Sequence, residues 1–304
     1  LKKHGATVTR ALLEKVQAAD GLMLGPMSTY DFKDEAKGEI NPSKFFRKKL
    51  DLFANIRPAR TFEGIPTLTG PFDLIVVREN TEGEYSSMGG FFKMGTPDGF
   101  AIQNAIFTHK GCERVMRYSF ELARKRKAQG KAGQVTNCTK STALNYSMVY
   151  WDSVYAEVAA KYPEIKTDMA LVDAICMWFV KNPNFFDVVV ASNLFGDIIT
   201  DLGAMLQGGM GFAAGGNINP ERVYPSMFEP IHGSAFDIMG RGLANPIGTF
   251  WSVVMLLEHV GEPASAHKLM QAIETVTAHP ALHTADLGGK AKTAQVTQAV
   301  CDLL

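Results

Sequence analysis

The chain has 304 residues, 46% hydrophobic and 20% charged, which is enough apolar material for two domains. Its 31 Lys and Arg balance its 31 Asp and Glu, a neutrality that excludes nucleic-acid and membrane-surface partners held by basic charge. Cys112, Cys138, Cys176 and Cys301 form no CxxC pair, which argues against zinc and disulfides and for a reducing cytoplasm; no apolar run spans a bilayer and none is read as a signal peptide.

In chain order, the sequence opens at Leu1 in a charged, helix-like stretch and reads as an N-terminally shortened product. DGLMLGP (20–26) reads as a strand. SKFFRKKLDLFANIRPAR (43–60) then carries Arg47 and Arg57 ten residues apart, and FDLIVVREN (72–80) is a buried strand closed by Arg78. Arginine forks match carboxylates bidentately, so these three suit a polycarboxylate ligand if they converge, and surface ion pairs if they do not. ENTEGEYSSMGG leaves that strand as a polar loop; Tyr85 in it is a candidate general acid if a cation lowers its pKa. Residues 111–127 form an amphipathic helix with a basic end, and GQVTNCT (133–139) a strand.

Lys140 follows that strand and serves as a base if it is desolvated or set among cations; a helix is expected from Thr142 to Lys161. MALVDAI (169–175) reads as a strand in which Asp173 would need a compensating partner, such as a metal. After the strand FDVVVAS (186–192), the helix Asp197 to Leu206 places Asp197 and Asp201 on one face, one turn apart. Two readings fit that pair: a helix cap beside an exposed acid, or a divalent-metal site in which the cation offsets like charges. The glycine-rich stretch 208–230 reads as irregular loop. Gly209, Gly211 and Ala214 resemble a dinucleotide fingerprint but lack its strand–helix setting, so they are read as turn glycines. The loop Glu229 to Asp237 holds His232, which suits stacking on a ring, and Asp237, which suits ribose hydroxyls. A helix from Thr249 to His259 follows, ending before Gly261 and Pro263. The alternation of strands and helices predicts an α/β protein with a largely parallel or mixed sheet.

LDLFANIRPAR, VVRENTEGEYS, SNLFGDIITDLG and SMFEPIHGSAFDIMGRGLANPIGT, in this order along the chain, resemble the metal-dependent β-decarboxylating dehydrogenases acting on isopropylmalate, isocitrate, homoisocitrate, tartrate and D-malate. VVRENTEGEYSSMGG, FDVVVASNLFGDI and GNINPERVYPSMFEPIHGSA look most like the tartrate/D-malate branch. The resemblance implies that family's two-domain fold rather than a classical Rossmann fold. Residues 1–52 and 205–304 would form a discontinuous cofactor-binding domain, and 53–204 the substrate, metal and dimerisation domain. By the same resemblance Arg47, Arg57 and Arg78, with Ser43, would bind substrate. Asp197 and Asp201 would hold Mg²⁺ or Mn²⁺ together with Asp173 from a second subunit, and Tyr85 and Lys140, the latter reaching across a homodimer, would move protons. Glu229, His232, Gly233, Ser234, Ala235, Asp237 and Asn245 would bind the cofactor. Asp237, which would repel a 2′-phosphate, favours NAD.

Polar Asn41, Ser43 and Lys44 where a branched substrate would need leucines point to D-malate or tartrate, with isocitrate, homoisocitrate and isopropylmalate as alternatives. Three departures from the family pattern stand out: its first strand is not found ahead of Leu1, Thr142 replaces an Asn, and Phe236 replaces a Pro. The first two leave a truncated, non-catalytic nucleotide-binding homologue as the alternative class.

Overall fold

The computed structural model describes residues 6–26 and 40–304; the charged stretch at Leu1 lies outside them. Ten strands are found among these residues: β1 (Gly21–Met23), β2 (Ala54–Arg60), β3 (Asp73–Glu79), β4 (Gly89–Phe92), β5 (Phe100–Gln103), β6 (Gln134–Thr139), β7 (Lys166–Leu171), β8 (Val188–Ala191), β9 (Ala214–Ile218) and β10 (Ser226–Pro230). Eight of them make one mixed sheet in the order β1-β10-β9-β2-β3-β8-β6-β7. β3, β8, β6 and β7 pair in parallel, as do β1 and β10, whereas β10, β9, β2 and β3 run alternately. β8 (VVVA) is buried at every residue, as expected of a β-branched strand covered on both faces. The expected mixed α/β sheet is therefore present.

Nine α-helices are found among the described residues: α1 (Arg10–Gln17), α2 (Pro42–Lys49), α3 (His109–Ala128), α4 (Ser147–Ala159), α5 (Val172–Lys181), α6 (Asn193–Leu206), α7 (Ile247–Val260), α8 (Pro263–Thr277) and α9 (Thr293–Cys301). Their ends follow local chemistry. The Asn41 side chain caps α2 by accepting from Lys44 N–H with Pro42 in the first turn, Thr108 caps α3, and Gly261 closes α7 at φ 94°. The packed helix pairs α3–α4 and α5–α6 cover β3, β8 and β6. Trp151, Phe120 and Phe179 are fully buried there. A second core gathers Phe62, Phe212, Trp251 and Ile273 around α7–α9, and a third holds Phe46, Leu50 and Leu52 beside α2.

Several sequence expectations are corrected. The stretch 208–230 is not irregular: it contains β9 and β10, which are buried throughout. Asp173 is not in a strand, because β7 ends at Leu171 and Asp173 sits exposed in the first turn of α5. α4 begins at Ser147 rather than Thr142. α6 begins at Asn193 with Ser192 as its N-cap, so Asp197 is not a cap. β2 and the β4–β5 hairpin (antiparallel, exposed along its length) carry no strand signal in the sequence. Pro58 is tolerated within β2 because pairing with β9 stops at Ile56, leaving that side without a ladder at Pro58.

Candidate active site

The sheet register assembles the site. Arg78 is the parallel partner of Ala191, so α6, which starts two residues later, begins beside the Arg78 side chain at the carboxyl ends of β3 and β8. Gly196 permits the close approach: a Cβ there would lie 2.6 Å from both Cβ and Cγ of Arg78. β2 contributes Arg57, α2 contributes Ser43 and Arg47, β10 contributes Glu229, and a single 3₁₀ turn, residues 84–86, contributes Tyr85. These residues line one cleft of about 720 Å³ together with Asp197, Asp201, His232, Gly233, Ser234 and Ala235.

Asp197 is the electrostatic centre. Its Oδ1 pairs with Arg78 Nη1 and lies 3.4 Å from Arg57 Nη2, and its Oδ2 accepts from the Tyr85 hydroxyl at 2.8 Å. Burial alone would raise this carboxyl, but Arg78 and Arg57 outweigh it and hold the pKa below the ordinary range. Asp201, 3.8 Å from Arg57 Nη1, is raised instead by burial, to which Asp197's charge adds against the pull of Arg57. Burial also raises the Tyr85 hydroxyl, and its bond to anionic Asp197 adds to this. The condition that a cation lower this pKa is not met, although the Arg78 guanidinium lies 5.3 Å from the Tyr85 ring centre and pulls in that direction. The tyrosine keeps its proton.

Arg78 is oriented by Asn193, whose Oδ1 accepts from Nε at 3.1 Å and from Nη2 at 2.7 Å while its Nδ2 donates to the Glu82 carbonyl. Arg57 donates to Asn55 Oδ1 at 2.8 Å and to Thr200 Oγ1 at 2.6 Å. Arg47 Nη2 meets Glu229 Oε1 at 2.6 Å, and the Ser43 hydroxyl donates to the same oxygen at 2.9 Å. Lys48 ties α2 to the Tyr85 turn by donating to the Tyr85 carbonyl at 3.0 Å. The sequence does not single out Asn193, Asn55, Thr200 or Lys48. None of them presents an isolated buried charge in the sequence: Asn193, Asn55 and Thr200 are neutral, and Lys48 belongs to the basic run Arg47 to Lys49.

Two carboxylates one turn apart on the cleft wall form an oxygen donor set suited to a hard divalent cation, and Asp201 keeps 61% of its side chain exposed to receive one. Among the described residues no three His, Cys, Asp or Glu side chains gather within the single chain. Lys140 and Asp173 are brought to each other, Nζ to Oδ1 at 2.6 Å, but not to the cleft. Asp237 lies on the exposed turn just beyond the lining residue Phe236, and Ala235 before it adopts φ 44°. Asn245 is buried off the cleft, donating to Asp286 Oδ2 at 3.1 Å and accepting from Ile247 N–H. No helix among the described residues is long and apolar enough to cross a membrane.

Residues 1–300 match the family model described as isocitrate/isopropylmalate dehydrogenase. A probable tartrate dehydrogenase/decarboxylase of Bacillus subtilis (strain 168) is 49% identical over 261 residues, covering 85% of this chain and 72% of the relative. The D-malate dehydrogenase [decarboxylating] of Escherichia coli (strain K12) is 46% identical over 311 residues, covering 99% and 85%. A crystal structure of isocitrate dehydrogenase from Methylococcus capsulatus superimposes with a TM-score of 0.90 at 36% identity, covering 99% of this chain and 86% of that one.

Proposed function

The chain belongs to the isocitrate/isopropylmalate dehydrogenase family, and within this family of decarboxylating dehydrogenases we propose that it oxidises and decarboxylates a small 2-hydroxy dicarboxylic acid, D-malate or tartrate, using NAD and Mg²⁺ or Mn²⁺. The observation that carries this reading is the convergence of Arg47, Arg57 and Arg78 on one cleft with the paired carboxylates Asp197 and Asp201. The arginines supply bidentate grips for carboxylates. Polar Asn41, Ser43 and Lys44 line the cleft where a branched substrate would call for leucines. The names of the relatives, tartrate dehydrogenase/decarboxylase and D-malate dehydrogenase, support the same substrate class.

Asp197 and Asp201, with Asp173 from a second copy of the chain, would hold the cation. Bound there, it would supply Lewis acidity toward the C2 hydroxyl and adjacent carboxylate. The residues from His232 to Asp237, with Asn245, would hold NAD, which would supply the hydride acceptor. Lys140 of that second copy, which lies off this chain's own cleft, would take the proton of the C2 hydroxyl. The arginines hold both carboxylates until one leaves as CO₂, and Tyr85 Oη, protonated at neutral pH, delivers a proton to the carbon left behind. The exposed apolar side chains Tyr146, Met169, Met177 and Val180, close in sequence to Lys140 and Asp173, support a homodimer with shared sites.

The reading is tested by NADH formation with Mn²⁺ across D-malate, the tartrates, isocitrate, homoisocitrate and isopropylmalate, with and without chelator. Chelator-sensitive turnover of D-malate or a tartrate is the expected result. Turnover confined to a branched or tricarboxylic substrate refutes the specificity, and no turnover refutes the reading.

A further inference from the structure

Beneath the cleft floor, amide side chains join two of its guanidiniums. Asn55 on β2 and Asn217 on β9 are direct partners across the antiparallel pair, and both are fully buried. Arg57 Nε donates to Asn55 Oδ1 at 2.8 Å, Asn55 Nδ2 donates to Asn217 Oδ1 at 2.8 Å, and Asn217 Nδ2 donates to Glu229 Oε1 at 2.9 Å. That oxygen is the one that receives Arg47 Nη2. The amide orientations are fixed, because turning either amide over would set NH₂ against a cation or an oxygen against the carboxylate. Asn80 Nδ2 adds a second donor to Asn217 Oδ1 at 3.0 Å. The series of hydrogen bonds therefore runs unbroken from Arg57, through β9 and β10, to α2.

Such a series is costly unless it does something. Amides desolvated at 0% exposure return their desolvation cost only through full pairing, and apolar side chains would fill a buried strand pair more simply. What these bonds hold in place is crowded with like charge: burial and, after it, the Arg47 cation disfavour the charged form of Arg57, against the pull of Asp197, Asp201 and Glu229. Arg57 also has Thr200 and Asp197 as partners, but the amide series is what ties it to the Glu229–Arg47 pair and sets the spacing of the two guanidiniums.

We propose that Asn55 and Asn217 are positioning residues, a buried amide relay that fixes Arg57 and the Glu229–Arg47 pair in one register so that substrate carboxylates meet preset forks. This rests on the reading of Arg47 and Arg57 as substrate grips. Because the amides are uncharged, they transmit position without altering the charge of the site, which an acid at the same place would do.

The relay is tested with Asn217→Asp and Asn217→Ala, assayed on the intact protein with Mn²⁺ and NAD between pH 6 and pH 9, alongside calorimetric binding of succinate as a non-reacting dicarboxylate. In N217D the new carboxyl faces Glu229. While the two share one proton, a hydroxyl donor replaces the amide donor; once the proton is lost, two buried anions compete for Arg47. The expected result is a KM and a succinate Kd raised at least tenfold at pH 9, with kcat falling by less, and recovery toward unaltered values at pH 6. N217A shows the raised KM and Kd at every pH. Unchanged KM and Kd in the folded variants overturn the relay while leaving the proposed function standing, as does a pH-independent loss of kcat alone. If N217D does not fold, N217A decides the matter by the same criterion. If the unaltered protein neither turns over the hydroxy acids nor binds succinate, the proposed function falls and the relay falls with it.

Discussion

Gly196 is the point at which backbone geometry and site chemistry meet most tightly. A methyl group at this position would stand 2.6 Å from Arg78 Cβ and Cγ and 3.2 Å from Arg78 Cα, whereas apolar carbons rest at about 3.5–4 Å. Either α6 or the Arg78 stem must therefore give way by roughly 1 Å. β3 cannot yield easily, since it is hydrogen-bonded to β2 on one side and β8 on the other. Gly196→Ala should recover about 1 kcal/mol of helix propensity and lose about 1–3 kcal/mol to overpacking, a net cost of about 0–2 kcal/mol. Against a typical stability of about 5–15 kcal/mol, the variant should fold. Its activity should fare worse, because the shift falls on Arg78 and on Asp197, the next residue. A misplacement of about 1 Å costs on the order of 100-fold in rate. Calorimetry should thus show a Tm lowered by a few degrees, with kcat/KM falling on the order of 100-fold at a temperature where the variant is fully folded. A folded variant with kcat/KM within about threefold of the unaltered protein would refute the claim that this approach sets the site.

Asn193→Ala should leave Arg78 Nε and Nη2 without their acceptor; KM for the dicarboxylate should rise roughly tenfold, with about 1–3 kcal/mol lost in urea unfolding. Burial pushes the Glu229 carboxyl up, but Arg47 and the donors around it prevail and hold it below its ordinary 4.5. The stability it contributes is present above the unfolded value and is lost as pH falls through the folded one. Glu229→Gln should accordingly be less stable at neutral pH and show a flatter acid limb below pH 4.5 in urea melts; an unchanged limb would refute the pairing. If the site is shared between subunits, Lys140→Ala and Asp197→Ala proteins, each inactive, should regain activity when mixed under subunit-exchanging conditions, and no recovery would count against a shared site.

The sequence shows the fold best where its local chemistry and its tertiary setting agree. FDVVVAS is apolar because both of its faces are covered, and residues 111–127 are amphipathic because one face packs on the sheet. It shows the fold least where a tertiary partner rescues an unlikely residue. ANIRPAR contains an amide, two arginines and a proline, yet it is a central strand. Arg57 is neutralised by Asp197 and Asp201, Asn55 is paired by Asn217, and Pro58 sits where the neighbouring ladder has ended. β9 and β10 are obscured for a related reason. Gly215 and Gly216 look like turn residues, but a Cβ at Gly215 would lie 2.3 Å from Ile231 and one at Gly216 3.0 Å from Phe228, so both positions are set by close packing.

The same distinction divides the site. Acids and bases on apolar elements are conspicuous because an isolated buried charge is costly, so Asp197, Asp201, Arg57 and Arg78 stand out in the sequence itself. Which charges meet is a property of register and not of spacing. Arg78 reaches Asp197 across 119 positions only because β3 and β8 pair in parallel and α6 starts where β8 ends. Lys140 and Asp173, equally conspicuous, are carried by β6 and α5 to a different surface, where they pair with each other. The amides that hold the arginines are silent, because a neutral side chain in a strand carries no charge to explain. Their role follows from a two-residue alignment, Asn55 opposite Asn217, that exists only once β2 and β9 are side by side. A substitution that leaves every charge of this site intact can therefore disable it by shifting the neutral residues between them.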